Sequence, residues 1–359
     1  MKKLSYYLSV AASVMLAAVM SAGMVACSTK DTPVDNTPKE PEQAKVIIKE
    51  IAVGGGFKTP EGKSYSWCKV ITLYNNSSVK ATYKNLAIGA VPPGNAHANF
   101  SSLDENGNLI YENAGWLPIW ATIWYIPEIT IEPYSDAVIA VNGAIDHTQL
   151  ASGAYNLADA SYYVMYDPES GMNNASAYPA PYEGIPTKNY WKGILFGTGN
   201  AWAVSIMCPA LALFQFPEGT DIPAYCANAD NIWYNGKEGP ANACVKIQQD
   251  WILDGVEFYR IGFEADSHKR LPAGIDAGFG LYNSNKQYSA YRNVDKAATE
   301  SLAGNAGKLV YGYTNAVEGT SDPSEIDAAA SIKNGAKIIY LDTNNSTNDF
   351  HVRKDWSMK

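Results

Sequence analysis

Motifs of reactive chemistry are scarce in this chain. It has no GxSxG elbow to expose a nucleophilic serine. Its four histidines, His97, His147, His268 and His351, each sit near turn residues, and none falls in a metal-binding spacing such as HxxxH. There is no CxxC pair, so the spacing gives no indication of zinc. Only 18% of residues are charged and the formal net charge is −9. An acidic surface argues against nucleic acid and against anionic lipid headgroups as partners. Sustained helical stripes are rare, and no repeat of fixed period is present.

Several stretches approach a known motif and then miss it. GFKTPEGKS, from Gly56 to Ser64, has five residues between its glycines where a phosphate loop needs four. The strand-like YSWCKVITLY that follows offers no helix N-terminus to a phosphate. GTGNAW puts Trp202 where a dinucleotide fingerprint needs Gly or Ala. In YLDTNNSTNDF, Tyr340 to Phe350, oxygen side chains alternate from Asp342 as a calcium loop begins. Thr347 then replaces the turning glycine and Arg353 the bidentate acid. Asp342, Asn344 and Asn345 therefore read as Asx-turn caps that fasten a closing strand, Lys337–Asp342, to its neighbour. Calcium held by Asp342, Asn344 and Asp349 is the alternative, and no other cofactor is indicated. Asp254 and Glu257 in WILDGVEFYR are the nearest approach to a carboxylate pair for glycoside cleavage. As close neighbours in a strand or turn they read as partners in cross-strand or backbone bonds.

The informative features begin at the N-terminus. Lys2 and Lys3 precede an apolar stretch, Leu8–Val19, that is too short to span a bilayer. With Met24-Val25-Ala26-Cys27 it reads as a lipoprotein signal, residues 1–26, cleaved before a Cys27 that carries the lipid. Acyl chains buried in a bilayer contribute about 0.8 kcal/mol per methylene, enough for firm anchoring. Residues 27–44 are acidic and Pro-rich, a flexible tether with nothing to bury. Loss of Lys2 and Lys3 takes the net charge from −9 to −11. Residues 45–359 read as one β domain. Four further cysteines allow two disulfides in an oxidising envelope, in three pairings. Cys226–Cys244 would close a Gly/Asn/Pro-rich loop, leaving Cys68–Cys208; four buried free thiols is the other reading.

Strand signals recur along that domain: KVIIKEIA, KVITLYN, KATYKNLAIGAV, EITIE, DAVIAV, SYYVMYD, AWAVSIMC, ALALFQF, VEFYRIGF, KLVYGYT and KIIYLD. In the first, Val46, Ile48 and Glu50 point one way and Ile47, Lys49 and Ile51 the other. DPSEIDAAASIKNGA suits a short helix capped by Ser324 and ended by Gly335. The expectation is a mainly β protein, an antiparallel immunoglobulin-like sandwich with long loop insertions and few short helices. Aromatics are abundant, with 24 tyrosines and nine tryptophans. Trp116, Trp120, Trp191 and Trp233 lie beside Asn, Gly or Pro, where flat rings could stack on a sugar or planar ligand. Trp124 and Trp202 read as core.

In order, KVIIKEIAV, CKVITLYNNSSVKATYKNLAIG, IEPYSDAVIAVNGAIDH, NLADASYYVMYD, WILDGVEFYR, LPAGIDAG and YLDTNNSTNDF resemble the Bacteroidetes surface lipoprotein family known as domain of unknown function 4876. The resemblance runs over nearly the whole mature chain and is most specific in the LPAGIDAG and LDTNNSTNDF blocks. The opening strands also resemble a lamin-tail type of immunoglobulin-like sandwich, with Thr72 standing where that pattern has Glu. Lys30-Asp31 is similar to the export signal of surface lipoproteins in such bacteria. The family has no established activity. The resemblance implies an outer-membrane lipoprotein facing the cell exterior, associated with a TonB-dependent uptake transporter. The reading is a non-enzymatic lipoprotein that captures a small ligand or glycan. A cell-surface adhesion or scaffold module and a hydrolase are the alternatives.

Overall fold

In the computed structural model, residues 43–98, 101–202 and 204–359 are described. The expected signal peptide, Cys27 and all but the last two residues of the expected tether lie outside them. The strands are β1 (Val46–Ala52), β2 (Phe57–Lys58), β3 (Ser64–Tyr65), β4 (Val70–Asn75), β5 (Ala81–Ala90) and β6 (Trp116–Trp120). They continue as β7 (Thr122–Ile131), β8 (Asp136–Ala140), β9 (Tyr163–Met165), β10 (Tyr190–Leu195), β11 (Ala210–Gln215) and β12 (Ile232–Tyr234). β13 (Ala243–Gln248), β14 (Ile252–Arg260), β15 (Gly280–Tyr282), β16 (Ser289–Arg292) and β17 (Phe350–Arg353) complete them. The α-helices are short: α1 (Ile222–Ala227), α2 (Lys296–Ser301), α3 (Ala328–Lys333) and α4 (Ser346–Asp349).

The mainly β character holds; the antiparallel immunoglobulin-like or lamin-tail-like sandwich does not. Twelve strands hydrogen-bond in one continuous order, β15-β14-β11-β5-β7-β10-β9-β8-β4-β1-β16-β17. The sheet is mixed, because β9 runs parallel to both β8 and β10, and β15 parallel to β14. A sandwich would break this ladder into two sheets. Here every one of the twelve strands sends a side chain into the same core. Ile48, Leu73, Ile88, Trp124, Ile139 and Met165 meet Trp191, Leu213, Val256, Tyr282, Ala290 and Phe350. A sheet whose strands all reach one interior must curl around it, so the architecture is a nearly closed barrel. Its two end strands, β15 and β17, approach each other without pairing.

A smaller sheet, β12-β13-β6, covers the outer face of β5, β7 and β11 over a second apolar cluster that includes Ile119, Phe214 and Val245. Gly89 makes this close approach possible, since a Cβ there would lie 2.2 Å from Ile119 Cγ2. Pro118 is tolerated because β6 is the edge of that sheet.

The regular alternation expected for KVIIKEIA fails at its centre. A bulge between Ile48 and Glu50 puts Ile51 on the same inward face as Val46 and Ile48. At the bulge the Ile48 N–H donates to Asp254 Oδ2 (2.7 Å) and the Ile48 carbonyl accepts from Arg292 Nε (3.0 Å). Side chains from β14 and β16 thus take the place of missing ladder bonds. Lys49, only 1% exposed, points outward into a cage of Tyr74, Tyr291 and Tyr340, with Asp136 at 2.5 Å.

AWAVSIMC, KLVYGYT and KIIYLD do not form strands. In KIIYLD, N–H groups that a neighbouring strand would accept go mainly to side chains. Lys337, Ile339 and Tyr340 donate to Asn305 Oδ1, Thr299 Oγ1 and Asn76 Oδ1. The short helix near Gly335 exists, but its cap is Asp327, whose carboxylate accepts from Ala330 N–H; Ser324 bonds the Ile326 N–H instead.

Candidate functional site

The four tryptophans singled out above have different fates. Trp191 faces the barrel interior and is fully buried, so it cannot present a ring to a ligand; this corrects the expectation. Trp116 and Trp233 are half-buried. Their rings pack against each other at 5.8 Å and against Tyr111, and Lys246 Nζ lies 5.6 Å over Trp116. They cover the outer apolar cluster. Trp120 alone walls open clefts.

Trp120 is fixed from two sides. Its indole N–H donates to the Ala241 carbonyl at 2.9 Å. The Gly94 backbone lies so close that a Cβ there would sit 3.2 Å from the ring. Clefts of about 320 and 310 Å³ adjoin the ring. One has Asn95 and Ser205 in its wall, the other Asn235, Asn242 and Lys237. Asn235 uses its Oδ1 to accept from Ser102, and Asn242 its Nδ2 to donate to Lys237. Each amide keeps further hydrogen-bonding capacity. A held aromatic ring flanked by amides and a hydroxyl is the chemistry of a site for a polar ligand with one flat face. The asparagines carried no motif that the sequence could have revealed.

The carboxylates Asp254 and Glu257 do not converge. Asp254 shares the inward face of β14 with Val256 and Phe258, while Glu257 points outward. Asp254 Oδ2 lies 2.6 Å from Arg292 Nη2, and Arg292 is 1% exposed. Burial pushes the Asp254 carboxyl up to about 6, against the pull of Arg292. Glu257 accepts from Arg270 N and Nε, Leu271 N and Lys269 Nζ, the last at 2.7 Å. Arg270 in turn donates to the carbonyls of Pro93, Cys208 and Phe258. Both acids are tied to buried arginines that brace backbone. Neither arginine stood out in the sequence, although an arginine inside an apolar strand such as SAYR must find a partner when buried.

The LDTNNSTNDF block is likewise occupied by protein groups. Asp342 bonds Lys45 Nζ (2.7 Å) and Arg292 Nη1 (3.1 Å). Asp349 accepts from Thr343 N, Thr343 Oγ1 and Asn345 N. Asn344 adopts φ +52° and its carbonyl accepts from Ala277 N–H. The guanidinium of Arg292 therefore sits where a cation would. Among the described residues no group of three His, Cys, Asp or Glu could hold a metal. The block also meets LPAGIDAG directly, for Asp276 accepts from both N and Oγ of Ser346.

The expected disulfides Cys226–Cys244 and Cys68–Cys208 are not formed; all four thiols are free and buried. Cys68 packs beneath β4 and β8 near Tyr155 N–H, whereas Cys208 lies in a separate cluster with Ala96 and Tyr259. Cys226 sits on α1 among the outer aromatics, and the Cys244 thiol bonds the Asn242 carbonyl. Burial pushes the Cys68 and Cys226 thiols up to about 12, which makes them poor nucleophiles.

Comparison with known proteins agrees with this architecture. No curated protein matches the chain. A crystal structure of a DUF4876 family protein from Bacteroides thetaiotaomicron superposes with a TM-score of 0.58 at 19% identity, over 85% of this chain and 70% of that one. At that identity the likeness concerns the fold. The family described as "Protein of unknown function (DUF4876)" matches residues 132–357, so β1 to β7 lie outside the matched region. With more than half its length matched, the chain belongs to the DUF4876 family.

Proposed function

We propose that this protein is a non-enzymatic lipoprotein, anchored in the outer membrane through acylated Cys27 and facing outward. It captures a neutral glycan or similar planar-faced ligand at Trp120 and serves an uptake transporter. The observation that carries the reading is the Trp120 ring, held by Ala241 and Gly94 and flanked by Asn95, Asn235 and Asn242. The saturation of Asp254 and Glu257 by arginine and backbone donors supports a role without turnover. The lipobox and the Bacteroides relative support the location.

Titration with a panel of neutral oligosaccharides, followed by tryptophan fluorescence, is the test. Trp120→Ala should weaken binding about 5- to 150-fold, since stacking on one ring is worth about 1–3 kcal/mol, while leaving the thermal midpoint within a few degrees. Unchanged affinity in that variant, or release of cleavage products from any panel member, counts against the reading. Cys27→Ser should move the protein from the membrane to the soluble fraction; incorporation of labelled lipid into that variant would exclude the anchor.

A further inference from the structure

The seam of the barrel differs in chemistry from the Trp120 clefts. Within the twelve-strand ladder β15 pairs only with β14 and β17 only with β16; the outer side of β17 is met at its C-terminal end by the 315–317 segment, whose Val317 N–H donates to the Val352 carbonyl. Between β15 and β17 lies a cavity of about 500 Å³, within the range of small-molecule sites. Its apolar walls include Phe258, Phe279, Leu281, Pro323, Phe350 and Val352. Among the described residues none of those lining it is a lysine, arginine, aspartate or glutamate; the guanidinium of Arg292 lies behind the Phe350 ring, 4.7 Å from its centroid.

These walls are held rigidly. Phe258 and Phe350 meet edge to face at 5.3 Å and 83°. Gly280 leaves room for that floor, since a Cβ there would lie 2.5 Å from the Phe258 ring. Phe279 stacks on Tyr259 at 4.0 Å, and Thr347 Oγ1 holds both its N–H (3.0 Å) and its carbonyl (2.9 Å). On the opposite side the Thr320 hydroxyl lies against the carbonyls of Val317 and Val352.

The polar groups divide into used and unused. His351 gives one ring nitrogen to Asn293 Oδ1 (2.7 Å) and the other to Tyr313 (2.9 Å). Asn293 Nδ2 donates to the Asn348 carbonyl. Those groups are saturated. The Asn348 amide and the Ser321 hydroxyl, both on exposed residues at the cavity, have no hydrogen-bond partner among the described residues.

We propose that this seam cavity binds an uncharged amphiphile. A flat or linear hydrocarbon body packs between Phe258, Phe350 and Leu281, and a hydroxyl, ester or amide end bonds Asn348 and Ser321. The absence of charged lining excludes ionic headgroups, because an unpaired charge moved into such a space costs more than apolar contact returns. The site is independent of the Trp120 clefts, with which it shares no lining residue.

Nile red, a neutral planar dye, is the probe, used with the full chain carrying Cys27→Ser so that no acyl group competes. Saturable binding of one dye per chain with blue-shifted emission is expected. Ser321→Trp, which fills the mouth from an exposed position, and Leu281→Arg, which charges it, should each weaken binding about tenfold or more. Trp120→Ala should leave it unchanged. Thermal unfolding checks that each variant folds; if Leu281→Arg does not, Ser321→Trp decides alone. Non-saturable uptake, affinity indifferent to Ser321→Trp, or loss of binding in Trp120→Ala overturns the proposal.

Discussion

Asp254 joins three strands through one carboxylate, so its removal tests how the barrel is held. Oδ2 accepts the Ile48 N–H at 2.7 Å across the β1 bulge and lies 2.6 Å from Arg292 Nη2. Asp254→Ala leaves a buried amide without an acceptor, at about 1–3 kcal/mol. It also removes one partner of a buried ion pair, at about 3–5 kcal/mol. The two costs overlap, because Arg292 keeps Asp342 at 3.1 Å and Asp349 at 3.5 Å. A net loss of about 4 kcal/mol is expected from urea unfolding at neutral pH with an unchanged m-value. Arg292→Met should cost a similar amount, since it strands three acids. The double variant should be less damaged than the sum of the singles, with a coupling energy of about 2 kcal/mol or more. A loss under about 1 kcal/mol for Asp254→Ala, or strict additivity, would refute the claim that this carboxylate ties β14 to β1 and β16.

Trp191→Ala should destabilise the fold by about 3–5 kcal/mol as a core truncation, without altering ligand affinity at Trp120. In a Cys27→Ser chain, a thiol reagent should find no reactive cysteine in the native protein and four after unfolding; a mass deficit of two or four protons would show disulfides instead. His351 is held at about 3 by burial and by the nearby Arg353 charge. Below its unfolded value of about 6.5 the unfolded chain takes up a proton that the folded one refuses. Stability should therefore fall as pH drops from about 6.5 toward 3, by up to about 1.4 kcal/mol per unit from this group. His351→Gln should flatten that slope between pH 6 and 4, and equal slopes in both proteins would contradict the assignment.

How much of this was legible in the sequence follows from what a sequence pattern encodes. β-branched and aromatic runs bounded by turn residues report strands, and β1, β4, β5, β7, β8, β9, β11 and β14 were all marked by them. Curvature is set by bulges, parallel pairings and glycines that meet residues far along the chain. None of these has a local signature, and so one curled sheet read as two flat ones. The tryptophans show the same limit at finer scale. Trp116, Trp120 and Trp124 are spaced as if on one face, yet the chain passes from the small sheet to the barrel at Ala121, which adopts φ +61° without a glycine at that position to announce it. That passage is accommodated elsewhere, for a Cβ on Gly197 would lie 2.6 Å from Ala121. Trp120 is left on the small outer sheet, and Trp124 is carried into the barrel beside Tyr178. A ring becomes a candidate binding surface here not through its neighbours in sequence but because the single residue Ala121 separates its strand from the barrel strand that follows, and the glycine that makes room for Ala121 lies just past the end of another strand.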